Sequence, residues 1–383
     1  MSVASVNWSY PTAIRFGAGR LEELGKALAF AGITRPLFVT DRGLAGLPVT
    51  ARALDAMAAA GHERALFAEV DPNPTDANLD AGLTAYRAGG HDGVVAFGGG
   101  SGIDLGKMIA FMAGQSRPVW DFEDVGDWWK RADDAAIAPI VAVPTTAGTG
   151  SEVGRASVIT NSATHEKKII FHPKVLPATV IADPELTVTM PPAITAGTGM
   201  DAFAHCLEAY SSPFYHPMSE GIALNGLALV KDNLLTAYTD GGNLEARANM
   251  MAAAAMGAVA FQKGLGAIHA LSHPIGALYG THHGTTNAAV MGAVLRFNRP
   301  AIEPKIARAA AFLGLEGGFD GFLGFVAALN RQLSIPTLSA MGVSRERVPD
   351  MVEMALRDPA GGGNPIPLTA GAVAALYDEA LSE

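Results

Sequence analysis

Four of the ten histidines in the chain fall between Gly266 and Gly284, in GAIHALSHPIGALYGTHHG. Imidazoles gathered among small apolar residues suit one kind of chemistry, the supply of neutral nitrogen donors to a divalent cation. Helical spacing sharpens that reading: His269 and His273 are four apart, as are Asp201 and His205 in GMDAFAHCLEAY, so each pair lies on one helix face and aims at one point. A buried aspartate in an apolar helix is costly unless it is paired or bound to a metal, which favours the metal reading further. With the adjacent pair His282-His283, one carboxylate and up to five imidazoles are available to an ion. The remaining histidines, His62, His91, His165, His172 and His216, show no grouping and read as ordinary hydrogen-bonded residues. One carboxylate and three imidazoles leave a divalent ion a net charge near +1 and room for an oxygen ligand. Such an ion is a Lewis acid able to stabilise an alkoxide from which a hydride departs.

A hydride needs an acceptor, and two segments could hold one. In GVVAFGGGSGIDLGK (Gly93 to Lys107) a buried strand runs through a glycine turn into a helix, where bare amides and the helix dipole favour a phosphate. The named motifs do not fit: a dinucleotide fingerprint starting at Gly98 would need glycine at Ile103, and a Walker A loop would need glycine at Ser101 and a hydroxyl at Met108. The plain alternative is a tight strand-to-helix connection. PTTAGTGSEVG (Pro144 to Gly154) places hydroxyls and amides after a second strand, at the sheet edge where α/β domains bind ligands. Asp41, ending an earlier strand in FVTDRGL, could accept from a ribose hydroxyl or cap the following helix.

The elements that must place these groups are legible in the hydrophobic pattern. PLFVT leading to a helix from about Gly43, then ALFAEV, then GVVAFGGG leading to a helix from about Ser101, then PIVAVPTT, are short apolar runs between amphipathic stretches. That pattern predicts a mostly parallel sheet with helical crossovers. After ADPELTVTMPP (Ala182 to Pro192) such runs largely give way to Ala/Leu/Met-rich helical periodicity, and GGGNP (Gly361 to Pro365) reads as a loop. At 383 residues two domains are expected. Residues 1–186 are expected to form an α/β dinucleotide-binding domain and residues 187–383 an all-α domain for metal and substrate, with the active-site cleft expected between them. MMAAAAMGAVAF (Met250 to Phe261) is short of the roughly 18 residues that span a bilayer and reads as a buried helix whose alanines admit close neighbours.

A formal charge of −10, with 49% hydrophobic and 17% charged residues, removes the basic footprint that nucleic acid or an anionic membrane would require. The expected partner is a small molecule, with no nucleic acid and no membrane. Cys206 stands alone, and MSVASVNWSY has neither the basic start nor the apolar run of a signal peptide, so the expected location is cytoplasmic.

FGAGRLEELG, PNPT (Pro72 to Thr75), GGGSGIDLGK, PTTAGTGSEV, GMDAFAHCLEAY and HALSHPIGALYGTHHG follow one another as they do in a known family. Over essentially its whole length the chain resembles the iron-containing (group III) alcohol dehydrogenases, which share the dehydroquinate-synthase-like fold. The resemblance implies Asp201, His205, His269 and His283 as metal ligands, Fe2+ before Zn2+, and His273 as a catalytic proton relay near nicotinamide and substrate. It implies Gly98, Gly99, Gly100 and Ser101 as the pyrophosphate loop, completed by Asp104 and Lys107. Asn73, Thr145, Thr146, Thr149 and Lys168 become cofactor contacts, and Asp41 the acidic residue that selects NAD over NADP. The implied reaction is hydride transfer between NAD and a small alcohol and its aldehyde or ketone, including a hydroxy acid and its semialdehyde. The implied state is a homodimer or larger homo-oligomer.

Two positions depart from the family pattern. His282 stands where the family often has proline, and Gly154-Arg155 stand where a threonine often follows Ser-Glu-Val. Arg155 raises the expectation of a carboxylate-bearing substrate, with a surface pairing as its plain alternative. The rival readings are a glycerol-type dehydrogenase or dehydroquinate-synthase-like lyase on the same fold, a metallohydrolase, and a non-catalytic metal or nucleotide sensor.

Overall fold

The computed structural model describes Tyr10 to Thr164 and Glu166 to Ser382; MSVASVNWS and His165 lie outside the described residues. Two compact units are present, one made of Pro11–Thr146 and Gly150–Val188, the other of Tyr10, Ala147–Thr149 and the chain from Thr189.

The first unit runs β1 (Ala13–Phe16), α1 (Leu24–Ala31), β2 (Pro36–Asp41), α2 (Pro48–Ala59), β3 (Leu66–Val70), α3 (Asp76–Ala88), β4 (Gly93–Gly98), α4 (Gly100–Met112), β5 (Ile140–Pro144), β6 (Ala156–Thr160), β7 (Lys167–Phe171) and β8 (Thr179–Ala182). Six strands make a parallel sheet in the order β1-β8-β5-β4-β2-β3, while β6 and β7 form an antiparallel pair. The unbroken apolar runs are explained by burial on both faces. Val94 and Ala96 enter one core cluster with Leu37, Val39 and Ile109, and Val95 and Phe97 enter the other with Phe38, Val141 and Leu28. Helix α4 lies close on β4, because a Cβ at Gly106 would sit 2.7 Å from that of Ala96, and one at Gly102 would sit 2.8 Å from the Phe97 carbonyl oxygen. Two glycines of the glycine-rich motif therefore serve helix packing.

The helix expected from Gly43 begins at Pro48 instead. Asp41 Oδ1 accepts from the Leu44 amide at 2.9 Å and stabilises a turn, and Pro48 starts the helix where its missing N–H costs nothing. GGGNP is likewise not all loop, since Pro359–Gly363 form a 3-10 helix capped by Asp358, whose Oδ1 accepts from Ala360 N at 2.9 Å. The short strands β1, β6, β7 and β8 were not separable from loops by periodicity.

The second unit has no strand among its described residues and is built of α5 (Pro192–Ser211), α6 (Pro217–Thr239), α7 (Leu244–Ala260), α8 (Ala267–Tyr279), α9 (His283–Phe312), α10 (Gly318–Gln332), α11 (Val348–Arg357) and α12 (Ala370–Ala380). Helix α5 is its axis, with every residue from Thr195 to Ser211 buried. Three neighbours reach it through glycine: a Cβ at Gly226 in α6 would lie 2.5 Å from Cys206 Sγ, at Gly257 in α7 2.9 Å from His205 Cβ, and at Gly284 in α9 2.0 Å from the Gly197 oxygen. Among the described residues no single helix is long and apolar enough to cross a membrane; α7 with its 3-10 extension and α8 pass only as a pair, bent by 109°.

Candidate active site

The i, i+4 spacing places Asp201 and His205 on one face of α5; α9 packs on α5 at Gly284, and α8 packs on α9 with its first turn against Glu208 of α5. His269 is the third residue of α8 and His283 the first of α9. The Nε2 atoms of His205, His269 and His283 lie 3.7, 3.7 and 3.5 Å from Asp201 Oδ1. Ligand atoms of Asp201, His205 and His269 all lie within 4.8 Å of one another, and the three residues are buried. Such separations suit donors that share one ion through bonds of roughly 2.0–2.2 Å. The donor set, three nitrogens and a carboxylate, is one that Fe2+ and Zn2+ both accept.

The electrostatics of the pocket favour a cation. Burial opposes charge on Asp201, yet the surrounding histidines outweigh it and hold the carboxyl far below the usual range. Burial drives His205 down to about 4 despite Asp201, so this imidazole is neutral and keeps a lone pair on one ring nitrogen. At His269 burial is overcome by the Glu208 and Asp201 carboxylates, which push it up to about 10. A divalent ion held by these residues would compete with that proton for the His269 nitrogen.

Three groups that the sequence did not single out complete the centre. Glu208 on α5 faces His269 Nδ1 at 2.5 Å; Asp358 faces His273 Nδ1 at 2.7 Å; the Asn287 amide donates to Asp201 Oδ1 at 2.9 Å and lies 3.3 Å from both His269 Nε2 and His283 Nε2. Glu208 at Asp201 plus seven and Asn287 at His283 plus four share faces with known candidates, so helical periodicity carried a signal for both. Asp358 is distant in sequence from His273 and had none. The His273 ring stacks on His283 with centroids 5.2 Å apart, outside the set around Asp201. His282 is the N-cap of α9, its Nδ1 accepting from Thr285 N.

In the α/β unit, Gly98 ends β4 at φ +141°, a conformation that favours glycine, and Gly99 caps α4, whose first turn contains Gly100 and Ser101. Asp41 closes β2 beside this turn, since a Cβ at Gly98 would meet Asp41 Oδ2 at 3.6 Å. Thr145 donates its amide to the Gly98 carbonyl at 2.9 Å, and the Thr146 side chain lies against Gly99. Ser101 Oγ donates to Pro72 O at 2.6 Å, which ties the loop carrying exposed Asn73 to α4. Asp41, Asn73, Gly98 to Ser101, Thr145 and Thr146 thus gather at one edge of the sheet. Thr149 belongs to the stretch Ala147–Thr149 of the helical unit. Lys168 is held by Glu123 and Glu166, each at 3.1 Å. Arg155 lies over the Phe171 ring, 5.4 Å from its centroid.

Residues 11–184 match the family model described as iron-containing alcohol dehydrogenase, and residues 195–381 match the C-terminal model of the same family. The chain belongs to the iron-containing alcohol dehydrogenase family. It is 42% identical over 367 residues to the 4-hydroxybutyrate dehydrogenase of Cupriavidus necator, covering 93% of this chain and 94% of that protein. Its fold matches the crystal structure of 1,3-propanediol oxidoreductase with a TM-score of 0.94 at 34% identity, over 98% of this chain and 100% of that one. It also matches the sulfoacetaldehyde reductase of Bifidobacterium kashiwanohense in complex with NAD+, with a TM-score of 0.90 at 29% identity, over 99% and 100% of the two chains. The chain is therefore an enzyme, an alcohol dehydrogenase of this family, which removes the metallohydrolase and sensor readings.

In this iron-containing alcohol dehydrogenase, Asp104 and Lys107 point inward from α4. Asp104 accepts from Ser151 Oγ at 2.5 Å and from the Val158 amide at 3.0 Å, and Lys107 Nζ donates to Ser151 O at 3.0 Å and Ala156 O at 2.5 Å. They fix α4 against the segment 151–158. Burial raises Asp104 against the pull of Lys107, and lowers Lys107 to about 8 against the nearby carboxylates. Glu152 is buried beside them and is pushed up to about 7 by that burial, from an ordinary value of 4.5. In the fold Glu152 keeps its proton where the unfolded chain has released it, so stability falls as pH rises from about 4.5 to 7 and the loss is complete above that. Glu152→Gln is accordingly expected to match the parent in urea unfolding at pH 4.5 and to exceed it by roughly 3 kcal/mol at pH 8. A variant less stable than the parent at pH 8 would contradict this account.

Proposed function

We propose that the protein is an NAD-dependent, metal-activated dehydrogenase interconverting a small primary or secondary alcohol with its carbonyl partner, with a terminal hydroxy acid and its semialdehyde as the preferred pair. The observation that carries the reading is the approach of three imidazole Nε2 atoms to within 3.7 Å of one buried carboxylate oxygen. In this reading residues 1–186 bind the dinucleotide and residues 187–383 hold the metal and the substrate. The 42% identity to a 4-hydroxybutyrate dehydrogenase supports the hydroxy acid, and the similarity to a reductase in complex with NAD+ supports the cofactor.

Asp201, His205, His269 and His283 would hold the ion. When bound, the ion supplies Lewis-acid polarisation of the substrate oxygen, and NAD supplies the hydride acceptor. The chain's own residues do the rest. Gly98, Gly99, Gly100 and Ser101 offer backbone amides and a helix start to the pyrophosphate. Asp41 accepts from the ribose and repels a 2′-phosphate, and Asn73, Thr145, Thr146, Thr149 and Lys168 line the remaining cofactor path. Asp104 and Lys107 act one layer behind, by keeping α4 in place. His273, with Nδ1 fixed by Asp358, keeps Nε2 for the proton that leaves or joins the alcohol oxygen. His273→Ala is expected to lower turnover by about 10²-fold with metal content unchanged, measured on the same preparations.

The exposed Ile14 and Phe16 on edge strand β1 support assembly as a homodimer or larger homo-oligomer. A cytoplasmic location suits the use of NAD and the lone free Cys206. The deciding experiment is an alcohol and aldehyde panel including 4-hydroxybutyrate and ethanol, run with NAD and NADP on protein loaded separately with Fe2+ and Zn2+. Higher kcat/KM for 4-hydroxybutyrate with NAD is expected. Equal rates for both alcohols would remove the substrate class, and a preference for NADP would remove the role of Asp41.

A further inference from the structure

Helix α8 begins at Gly266, which has no side chain with which to cap it, and its first amides are satisfied from outside. Ala267 N donates to Asn364 Oδ1 at 3.1 Å, and Ile268 N donates to Glu208 Oε1 at 2.6 Å. Glu208 Oε2 faces His269 Nδ1 at 2.5 Å. One buried carboxylate, 6% exposed, thus holds both the start of the helix and the imidazole it presents. Its surroundings include Leu207, Ile268, Val294 and Leu295, which border a small cavity beside it. An ionised carboxylate in such surroundings is costly unless its charge is balanced and its oxygens are hydrogen-bonded.

We propose that Glu208 is a positioning residue for the metal centre: it fixes His269 as the tautomer protonated at Nδ1, so that Nε2 presents its lone pair to the ion, and it supplies the second negative charge. This inference rests on the metal reading of Asp201, His205, His269 and His283. Asp201 alone would leave a divalent ion with three neutral imidazoles at a net charge of +1. With Glu208 the buried set is neutral, which favours a dication over a monovalent ion. Glu208 also lies on the α5 face that carries Asp201 and His205, seven and three residues earlier, so one helix face delivers two ligands and the group that orients a third. An amide cannot replace it. Ile268 N–H and His269 Nδ1 are served by different oxygens of Glu208, and a glutamine keeps only one of the two as an acceptor; its NH2 group turned toward Nδ1 would favour the tautomer whose proton sits on Nε2, the ligand atom.

The test uses metal-free full-length protein, with Zn2+ alone as the probe, titrated in competition with a chromophoric chelator. Glu208→Gln is expected to bind Zn2+ about 10–100-fold more weakly than the parent, with the melting temperature of the metal-free protein nearly unchanged. In the zinc-loaded parent, the 15N signals of His269 are expected to report a protonated Nδ1 and a metal-bound Nε2. Glu208→Gln that binds Zn2+ as tightly as the parent overturns the proposal, as does a variant whose only change is a lower melting temperature. If Glu208→Gln does not fold, Glu208→Asp decides, because the shortened carboxylate reaches one of its two donors but not both: about tenfold weaker Zn2+ binding is expected, and unchanged binding overturns the inference. A parent protein that binds neither Zn2+ nor Fe2+ at one equivalent would instead overturn the metal reading itself.

Discussion

Asp201→Asn is expected to purify folded, without its metal, and without measurable dehydrogenase activity. Asp201 Oδ1 is the atom on which His205, His269 and His283 converge, and the side chain is almost fully buried. The amide keeps the volume and removes the charge that holds a dication, so the loss in metal affinity should exceed the roughly 10–100-fold that follows removal of an outer partner. A Lewis acid lowers the barrier by several kcal/mol, and each 1.36 kcal/mol is tenfold, so activity should fall by at least about 10³-fold. His269→Ala is expected to behave likewise. Metal content, melting temperature and rate measured on the same preparation check the prediction. An active, metal-free Asp201→Asn protein would refute the ligand assignment.

Gly284→Ala is expected to cost roughly 3 kcal/mol or more in stability and to weaken metal binding at the same time. The added Cβ would lie 2.0 Å from the Gly197 carbonyl oxygen and 2.8 Å from Asp201 Cβ, and a backbone oxygen has no rotamer with which to escape. The first turn of α9 must then move away from α5 and carry the neighbouring His283 away from Asp201, from which it now lies 3.5 Å. The effect is steric contact rather than backbone conformation. Gly371→Ala in α12 supplies the control, because a Cβ there meets nothing within 4 Å and the change should be neutral or stabilising by up to about 1 kcal/mol. Urea unfolding of both variants, with a Zn2+ titration of each, separates the cases. A Gly284→Ala protein as stable as its parent would show that α9 can shift without consequence.

The alanine-rich composition of Met250 to Phe261, in α7, already announced a helix in close contact with its neighbours. It did not say which glycine meets which helix. Gly226, Gly257 and Gly284 each belong to a different neighbour of α5, and that matching arises only when the helices pack. The same holds for the motif around Gly98. Its glycines read as a phosphate loop, yet Gly102 and Gly106 are required by the approach of α4 to β4, and Asp104 turns into the unit toward Ser151 and Val158. Motif and packing share one stretch of chain, and linear spacing does not separate them.

Residue order alone determined the alternation of strand and helix before Asp183, the helical remainder, the two i, i+4 pairs and the family, because periodicity and motif spacing are properties of the chain. Only the tertiary structure decided which imidazoles meet. Asp201 gathers His205 from its own helix, His269 from α8 and His283 from α9, while His282 caps a helix and His273 turns to Asp358. Asp358 entered the site in the same way, and Glu208, whose helix face periodicity already showed, met His269 only through packing, since a hydrogen bond between residues distant in sequence depends on the summed packing of the elements that carry them.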